Sequence, residues 1–172
     1  MRTRYWSEIQ AAAKKHDLDP MLVEAIVVQE SAGNADAFRF EPNFWNRYLK
    51  PMKIYVGANP REVSSSYGLM QVMYQVAVER GFPRDLRPQH LFIVENALEY
   101  GCRQLKFQFD AAKKFSAEHP EIPVQPKDII MAAIASYNGG NGGNRPGQVL
   151  RNAAYARSVL TNYATLLTEH AR

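Results

Sequence analysis

Helical periodicity is the feature that most constrains the fold of this chain. Apolar residues recur at three- and four-residue spacing through most of the sequence, which is typical of amphipathic helices packed around a common core. The predicted helices span residues 5–17, 20–31, 68–81, 88–115, 127–137 and 148–167, with a short one near 44–49. The alternation of apolar and polar residues that is typical of β-strands is not convincing anywhere in the sequence. A small β-hairpin within residues 50–66 is the one β element that we consider. The sequence therefore predicts a mostly α-helical domain.

Proline and glycine residues mark where these helices begin and end. Asp19 followed by Pro20 is typical of an N-cap and a first helical position. Residues 34–66 contain three prolines, which predict an irregular segment. With 172 residues, the chain has the size of one domain and is long enough to bury a core.

The charge of the chain favours an anionic partner. Its 21 lysines and arginines outnumber its 17 acidic residues, which suits nucleic acid, a membrane surface or an anionic cell-wall polymer. The basic residues are scattered and no recognition motif is present, so we do not expect a nucleic-acid binder. No apolar run reaches membrane-spanning length, so we expect no membrane span. The first 17 residues lack the apolar stretch of a signal peptide, so for action outside the cytoplasm we expect either another export route or a mature or recombinant form of the chain.

The single cysteine limits the chemistry further. Cys102 is the only cysteine, so neither an internal disulfide nor a thiolate metal cluster can form. It shares a helical spacing with Leu98 and Leu105, which predicts a small core residue rather than a reactive thiol.

One carboxylate continues an apolar helix face. Glu30 stands four positions after Ile26 and three after Val27, so it extends their stripe. Burial disfavours its charge, and the negative end of the helix dipole acts in the same direction. Both effects favour a proton on Glu30 near neutral pH, as a general acid requires. The alternative is a glutamate that reaches water at a frayed helix end. Glu24 falls on a different face, and we expect it to be solvated.

Three later stretches place polar side chains near helix ends. They are "SSSYGLMQVM", with Gln71 and Met73 at the start of a helix, "ASYNGGNGG", with Tyr137 and Asn138 at the mouth of a helix, and "AAYARSVL", with Tyr155 beside an apolar stripe. Each has an ordinary structural interpretation. Met73 and Tyr155 are then core residues, Asn138 is a helix cap, and Gln71 lies on the surface.

Together, these motifs resemble the lytic transglycosylases with a soluble-type, goose-lysozyme-like catalytic domain. The family pattern is Glu-Ser followed by Gly-Asn, then Gly-Leu-Met-Gln with a Met two places on, then Ala-x-Tyr-Asn-x-Gly, then a Tyr in the last helix. This chain has, in that order, Glu30-Ser31, Gly33-Asn34, Gly68-Leu69-Met70-Gln71, Met73, Tyr137-Asn138-Gly139-Gly140 and Tyr155. The resemblance covers most of residues 18–166, which we take as the motif-bearing core of a single catalytic domain over residues 1–172.

The resemblance implies a lysozyme-like, two-lobed helical fold with Glu30 in a groove. It also implies cleavage of the β-1,4 bond between N-acetylmuramic acid and N-acetylglucosamine in peptidoglycan. Glu30 first protonates the leaving oxygen, and the acetamido group of the substrate stabilises the cationic sugar. Glu30 then takes the proton of the muramic C6 hydroxyl, which closes a 1,6-anhydro ring. The reaction needs no metal, no cofactor and no water.

The resemblance further implies roles for the other motif residues. Those implied to bind substrate are Ser31, Gln71, Met73, Tyr137, Asn138 and Tyr155. Tyr155 orients Glu30 by a hydrogen bond, and Met73 offers an apolar floor for a sugar face. Ser31 either caps the helix end or touches Glu30.

The chain departs from the family pattern at two places. The segment between Glu30 and Gln71 is longer than usual, and its insert at residues 38–63 is aromatic and basic. We expect this insert to add a wall to the groove. The acidic residue that often precedes the last tyrosine is replaced by Arg151 and Asn152.

Two alternative functions stay open at this point. In a muramidase, a second carboxylate would direct water, and Asp36, Glu41 or Glu62 is a candidate for it. In another class, the chain is a non-catalytic glycan-binding or structural component of a phage particle or secretion machine. We expect a monomer that acts on peptidoglycan glycan strands at the cell wall, in the periplasm or as a virion-associated or phage lysis enzyme. A phage origin is the one we favour.

Overall fold

The computed structural model describes residues 3–170 and confirms the prediction of a mostly α-helical fold. Its helices are α1 (Trp6–Lys15), α2 (Pro20–Ser31), α3 (Pro42–Phe44), α4 (Pro60–Val63), α5 (Tyr74–Glu79), α6 (Val94–Glu118), α7 (Pro126–Gly139) and α8 (Ala153–His170). Its strands are β1 (Phe38–Phe40), β2 (Ser65–Tyr67) and β3 (Val72–Met73). A π-helical turn covers Trp45–Leu49, and 3₁₀ turns cover Lys53–Tyr55 and Pro88–Phe92. In this part of the chain, no helix combines the length and the apolar character needed to cross a membrane.

The five longer helices, α1, α2, α6, α7 and α8, form a helical lobe with α2 at its centre. Helix α2 begins as predicted, because the Asp19 carboxylate accepts the Met21 backbone N–H and Pro20 fills the first position. Helices α1 and α8 both pack against α2, and every residue from 21 to 27 is buried. Cys102 of α6 is buried in the same core, as predicted, and burial raises the pKa of its thiol to about 12.

Glu24 lies inside this core, so the prediction that it is solvated is wrong. Its side chain is 0% exposed, and Oε1 accepts the backbone N–H of Thr3 at 2.7 Å. The His170 Nε2 atom lies 3.8 Å from its other carboxylate oxygen. The prediction assumed that one face of α2 is exposed to solvent, whereas residues 21–27 are buried on every face of this helix. Glu24 therefore joins the N-terminal segment and the end of α8 to the central helix.

The second lobe, residues 34–92, contains a three-stranded antiparallel sheet in the order β1-β2-β3. The hairpin predicted within residues 50–66 is misplaced. Strand β2 pairs with β3 to form a hairpin, and β1 pairs with the other edge of β2. The segment before β2 is helical instead, because Asn59 accepts the Arg61 N–H as an N-cap and Pro60 starts α4. The short helix predicted near 44–49 is present as α3 and the π-helical turn.

The hairpin turn replaces the first half of the helix predicted over residues 68–81. Gly68 has a φ of +69° and Gln71 a φ of +47°, which no α-helix accommodates. A Cβ at residue 68 would also lie 2.5 Å from the Leu91 carbonyl oxygen. Helix α5 therefore starts only at Tyr74.

The remaining predicted helices are present with shifted ends. Helix α6 begins at Val94 because residues 88–92 form the 3₁₀ turn, and α8 begins at Ala153 after an irregular segment. Helix α7 begins at Pro126 with a capping box, in which the Asp128 carboxylate accepts the Gln125 N–H at 2.8 Å.

Close contact between the lobes depends on Gly101. A Cβ at this position of α6 would lie 2.3 Å from the Met70 Sδ atom, and both residues are buried. We expect Gly101→Val to lower the free energy of unfolding by about 1–3 kcal/mol, as overpacking of a core does. Urea denaturation measures this, with Gly142→Ala as the control, since a Cβ at residue 142 meets nothing within 4 Å. Equal stability of both variants would contradict the tight contact.

Candidate active site

Glu30 and Tyr155 form the centre of the candidate site. Glu30 is the penultimate residue of α2, and its carboxylate is half-buried. Tyr155 lies in the first turn of α8, and its hydroxyl donates a hydrogen bond to Glu30 Oε1 at 2.5 Å. Packing of α8 against α2 thus brings together two residues that are far apart in the sequence. The predicted hydrogen bond between them is present.

The surroundings of Glu30 favour its protonated form. Burial raises the pKa of its carboxyl group above the usual value, and the Tyr155 hydrogen bond and the positive charge of Arg39 lower it in part. Burial also raises the pKa of Tyr155, and the charge of Glu30 adds to this shift. The phenol therefore stays a hydrogen-bond donor whether or not Glu30 is ionised.

Tyr137 lies next to this pair. Its hydroxyl donates to the Met70 carbonyl oxygen at 2.8 Å, which joins α7 to the hairpin turn. Burial raises the pKa of Tyr137, and the charge of Glu30 adds to the shift, so the two side chains lie within electrostatic reach. Three of the predicted site residues, on α2, α7 and α8, are therefore brought together.

Ser31 and Gln71 fix the backbone around this cluster. The Ser31 hydroxyl lies 2.8 Å from the Leu69 carbonyl oxygen and 3.1 Å from that of Val27, so it joins the end of α2 to the hairpin turn. The Gln71 amide donates to the carbonyl oxygens of Ala37 at 2.9 Å and Gly68 at 3.1 Å. Of the two roles predicted for Ser31, these contacts favour a role at the helix end over contact with Glu30.

Met73 and Asn138 occupy the edges of the site. Met73 lies in β3 and is half-buried. Asn138 is exposed near the end of α7, and its Oδ1 accepts the Asn152 side-chain amide at 2.9 Å. Among residues 3–170, Asn138 forms no hydrogen bond with Glu30 or Tyr155. Asn152, which replaces the acidic residue of the family pattern, also donates its backbone N–H to Asn144 and so orders the loop before α8.

Arg39 is a neighbour of the site that the sequence analysis missed. Its guanidinium acts on the pKa values of both Glu30 and Tyr155, and its Nε donates to Glu41 Oε1 at 2.5 Å. Its position between Phe38 and Phe40 is the only local signal. In a strand, this order places Arg39 on the opposite face from the rings of Phe38 and Phe40. The sequence does not show which of the two faces of the strand lies towards Glu30.

The burial of Glu30 should be measurable as a pH-dependent cost in stability. The pKa of the Glu30 carboxyl group is higher in the folded state than in the unfolded state. Its contribution to the free energy of unfolding is therefore fully present below the unfolded-state pKa, and it is lost as pH rises through the folded-state pKa. We therefore expect Glu30→Gln to have a higher Tm than the unmodified protein at neutral pH. The difference should disappear below about pH 4, where an unfolded carboxyl group is protonated. Glu95→Gln, at an exposed position, is the control, and a lower Tm for Glu30→Gln at neutral pH would contradict this account.

Comparison with known proteins gives a consistent result. The family model described as "Transglycosylase SLT domain" matches residues 7–158, a range that contains every residue of the candidate site. The X-ray structure of the lytic transglycosylase Slt from Pseudomonas aeruginosa, an inactive Glu-to-Gln mutant, is similar with a TM-score of 0.58 and 19% identity. This likeness shows the fold and confirms the predicted lysozyme-like helical domain. It covers 96% of this chain but only 24% of that one. Among curated proteins, no relative matches the chain.

Proposed function

The chain belongs to the transglycosylase SLT domain family, and from this we propose that it is a peptidoglycan lytic transglycosylase with Glu30 as its only acid and base. The substrate bond is the β-1,4 link between N-acetylmuramic acid and N-acetylglucosamine. The observation that carries the proposal is the half-buried Glu30 carboxyl group, which accepts a hydrogen bond from the Tyr155 hydroxyl. In the matched Pseudomonas aeruginosa enzyme, a Glu-to-Gln mutant is inactive, which supports the need for one glutamate.

In the first step, protonated Glu30 gives its proton to the glycosidic oxygen. The bond between that oxygen and the anomeric carbon breaks, and the acetamido group of the substrate stabilises the positive charge that develops. Tyr155 occupies Oε1 of Glu30, so it leaves Oε2 as the oxygen that faces the substrate. After the transfer, the same hydrogen bond and the Arg39 charge stabilise the carboxylate.

In the second step, the Glu30 carboxylate removes the proton of the muramic C6 hydroxyl. The C6 oxygen bonds to the anomeric carbon, which closes the 1,6-anhydro ring and returns Glu30 to its protonated state. The protons balance without water or a second carboxylate.

Gln71, Met73 and Asn138 are assigned to the glycan, and Ser31 and Tyr137 support them. Gln71 uses its amide nitrogen on the backbone, so its Oε1 is the atom that can accept from sugar amides and hydroxyls. We assign Met73 to an apolar floor under a sugar and the exposed Asn138 to contact with a longer strand. Ser31 and Tyr137 hold the hairpin turn against the helices and so keep Gln71 in place.

The site of action follows from the substrate. We propose that the chain acts on the cell wall, outside the cytoplasm, as a monomer. Its phage origin stays a prediction.

The proposed function is tested by incubating the protein with purified peptidoglycan and measuring turbidity and soluble glycan fragments. We expect turbidity to fall and fragments to appear. A folded protein that binds the glycan but releases no fragment would instead support the non-catalytic alternative.

The pH dependence of the rate tests the role of Glu30. We expect the rate to fall as pH rises through the raised pKa of Glu30, because the first step needs its proton. Tyr155→Phe removes a hydrogen bond that lowers this pKa, so the midpoint of the decline should move to higher pH. Initial rates across the pH range measure both midpoints, and a shift to lower pH in the variant would contradict the assignment.

A further inference from the structure

One face of the small sheet carries a row of side chains that begins at Met73 and ends at Arg39. Ser66 pairs with Met73 on one side and with Arg39 on the other. Directly paired residues of an antiparallel sheet point to the same side, with neighbouring Cβ atoms about 5 Å apart. The opposite face holds Phe38 and Tyr67, whose rings touch with centroids 5.4 Å apart. Arg39 therefore shares its face with the proposed sugar floor.

The Arg39 side chain is held in position but keeps free donors. Its Nε donates to Glu41, and the backbone of Glu41 is fixed because its N–H donates to the Ser64 carbonyl and its carbonyl accepts the Ser64 hydroxyl. The Arg39 side chain is still 60% exposed. Within residues 3–170, neither of its two Nη atoms donates a hydrogen bond. A guanidinium presented in this way offers parallel N–H donors that match a carboxylate.

This guanidinium also acts electrostatically on the proposed reacting group and its partner. Its positive charge acts on both Glu30 and Tyr155, so it is within electrostatic reach of the cluster. Ala37, two residues earlier, accepts the Gln71 amide through its carbonyl, which fixes the start of β1 against the site. A strand lying over Met73 and Glu30 would therefore pass the Nη atoms of Arg39.

We propose that Arg39 forms a carboxylate-binding subsite next to Glu30 and that Glu41 positions it. This inference rests on the proposed function, because the carboxylate is one that the peptidoglycan strand carries. Two parts of the strand supply this chemistry: the lactyl group of muramic acid when no peptide is attached, and the peptide stem. Arg39 would then select strands by charge in addition to the sugar contacts.

The test measures Kd in the Glu30→Gln background, where no turnover occurs, with and without Arg39→Gln. The probes are soluble strands with peptides and strands stripped of peptides, each before and after conversion of carboxylates to amides. We expect Arg39→Gln to weaken binding of carboxylate-bearing strands about tenfold, as loss of a charge-assisted hydrogen bond does. After amidation the two proteins should bind equally. If Arg39→Gln weakens binding of peptide-bearing strands alone, the ligand is a carboxylate of the peptide stem. If it weakens binding of stripped strands alone, the ligand is the lactyl carboxylate. If it weakens binding of both, either carboxylate can bind.

Two further variants make the result specific. Arg61→Gln removes a positive charge from the opposite face, where Arg61 lies over the Phe40 ring, and should leave every Kd unchanged. Arg39→Lys keeps the charge without the fork and should give an intermediate Kd. Equal affinities with and without Arg39, or a loss that persists after amidation, would overturn the subsite. Failure of the proposed function appears separately, as absence of turnover by the unmodified protein.

Discussion

Glu30→Gln should abolish peptidoglycan lysis while the fold stays intact. The amide keeps the shape of the side chain, and its oxygen can still accept the Tyr155 hydrogen bond. It cannot give a proton to the leaving oxygen or take one from the C6 hydroxyl, so both steps fail. The rate should fall by a factor of at least about 10²–10⁴, the range that general acid–base catalysis contributes.

Fragment release from purified peptidoglycan measures this loss, and circular dichroism with Tm verifies the fold. Glu95→Gln is the matched control, because it makes the same change at an exposed position on α6 and should keep full activity. A folded Glu30→Gln protein with near-normal activity would remove Glu30 from the mechanism.

Tyr155→Phe should reduce activity much more than stability. The ring keeps its packing and one hydrogen bond is lost, so the free energy of unfolding should fall by about 0.5–1.5 kcal/mol. The rate should fall by about 10- to 100-fold, because a misplaced acid raises the barrier of both proton transfers.

Tyr163→Phe is a matched control for this variant. Tyr163 lies on the same helix and donates to the Asp19 carboxylate at 2.6 Å, away from Glu30. Both variants therefore lose one bond to a carboxylate, and we expect similar changes in Tm. Only Tyr155→Phe should lose activity, and equal rates for the two variants would show that Tyr155 serves packing alone.

Local sequence pattern predicted most of the helices and the partial burial of Glu30, for a physical reason. Helix α2 depends on contacts within a few residues, and its cap at Asp19 and its apolar spacing are both visible in the sequence. Tyr155 has no such local signal, since it meets Glu30 only when α8 packs against α2. The order of the family motifs predicted that Tyr155 lies near Glu30, which helical periodicity could not predict.

The errors concern features that depend on distant parts of the chain. Strands of two or three residues are too short to show alternation, and β1 pairs with a strand that follows a long insert. Residues 68–73 have helical spacing, but the positive φ at Gly68 and Gln71 is set by the tertiary approach of Leu91 and by bonds to Ala37. The surroundings of Glu24 and Arg39 are likewise determined by segments far away in the sequence.

The central claim is that Glu30 alone closes an anhydro ring without consuming water. The most direct measurement is mass spectrometry of the fragments that the protein releases from purified peptidoglycan in water enriched in heavy oxygen. We predict products that end in 1,6-anhydro-N-acetylmuramic acid, lighter by one water than the hydrolysed form and free of the heavy isotope. Reducing ends that contain the heavy oxygen would show hydrolysis by a muramidase and would contradict the claim.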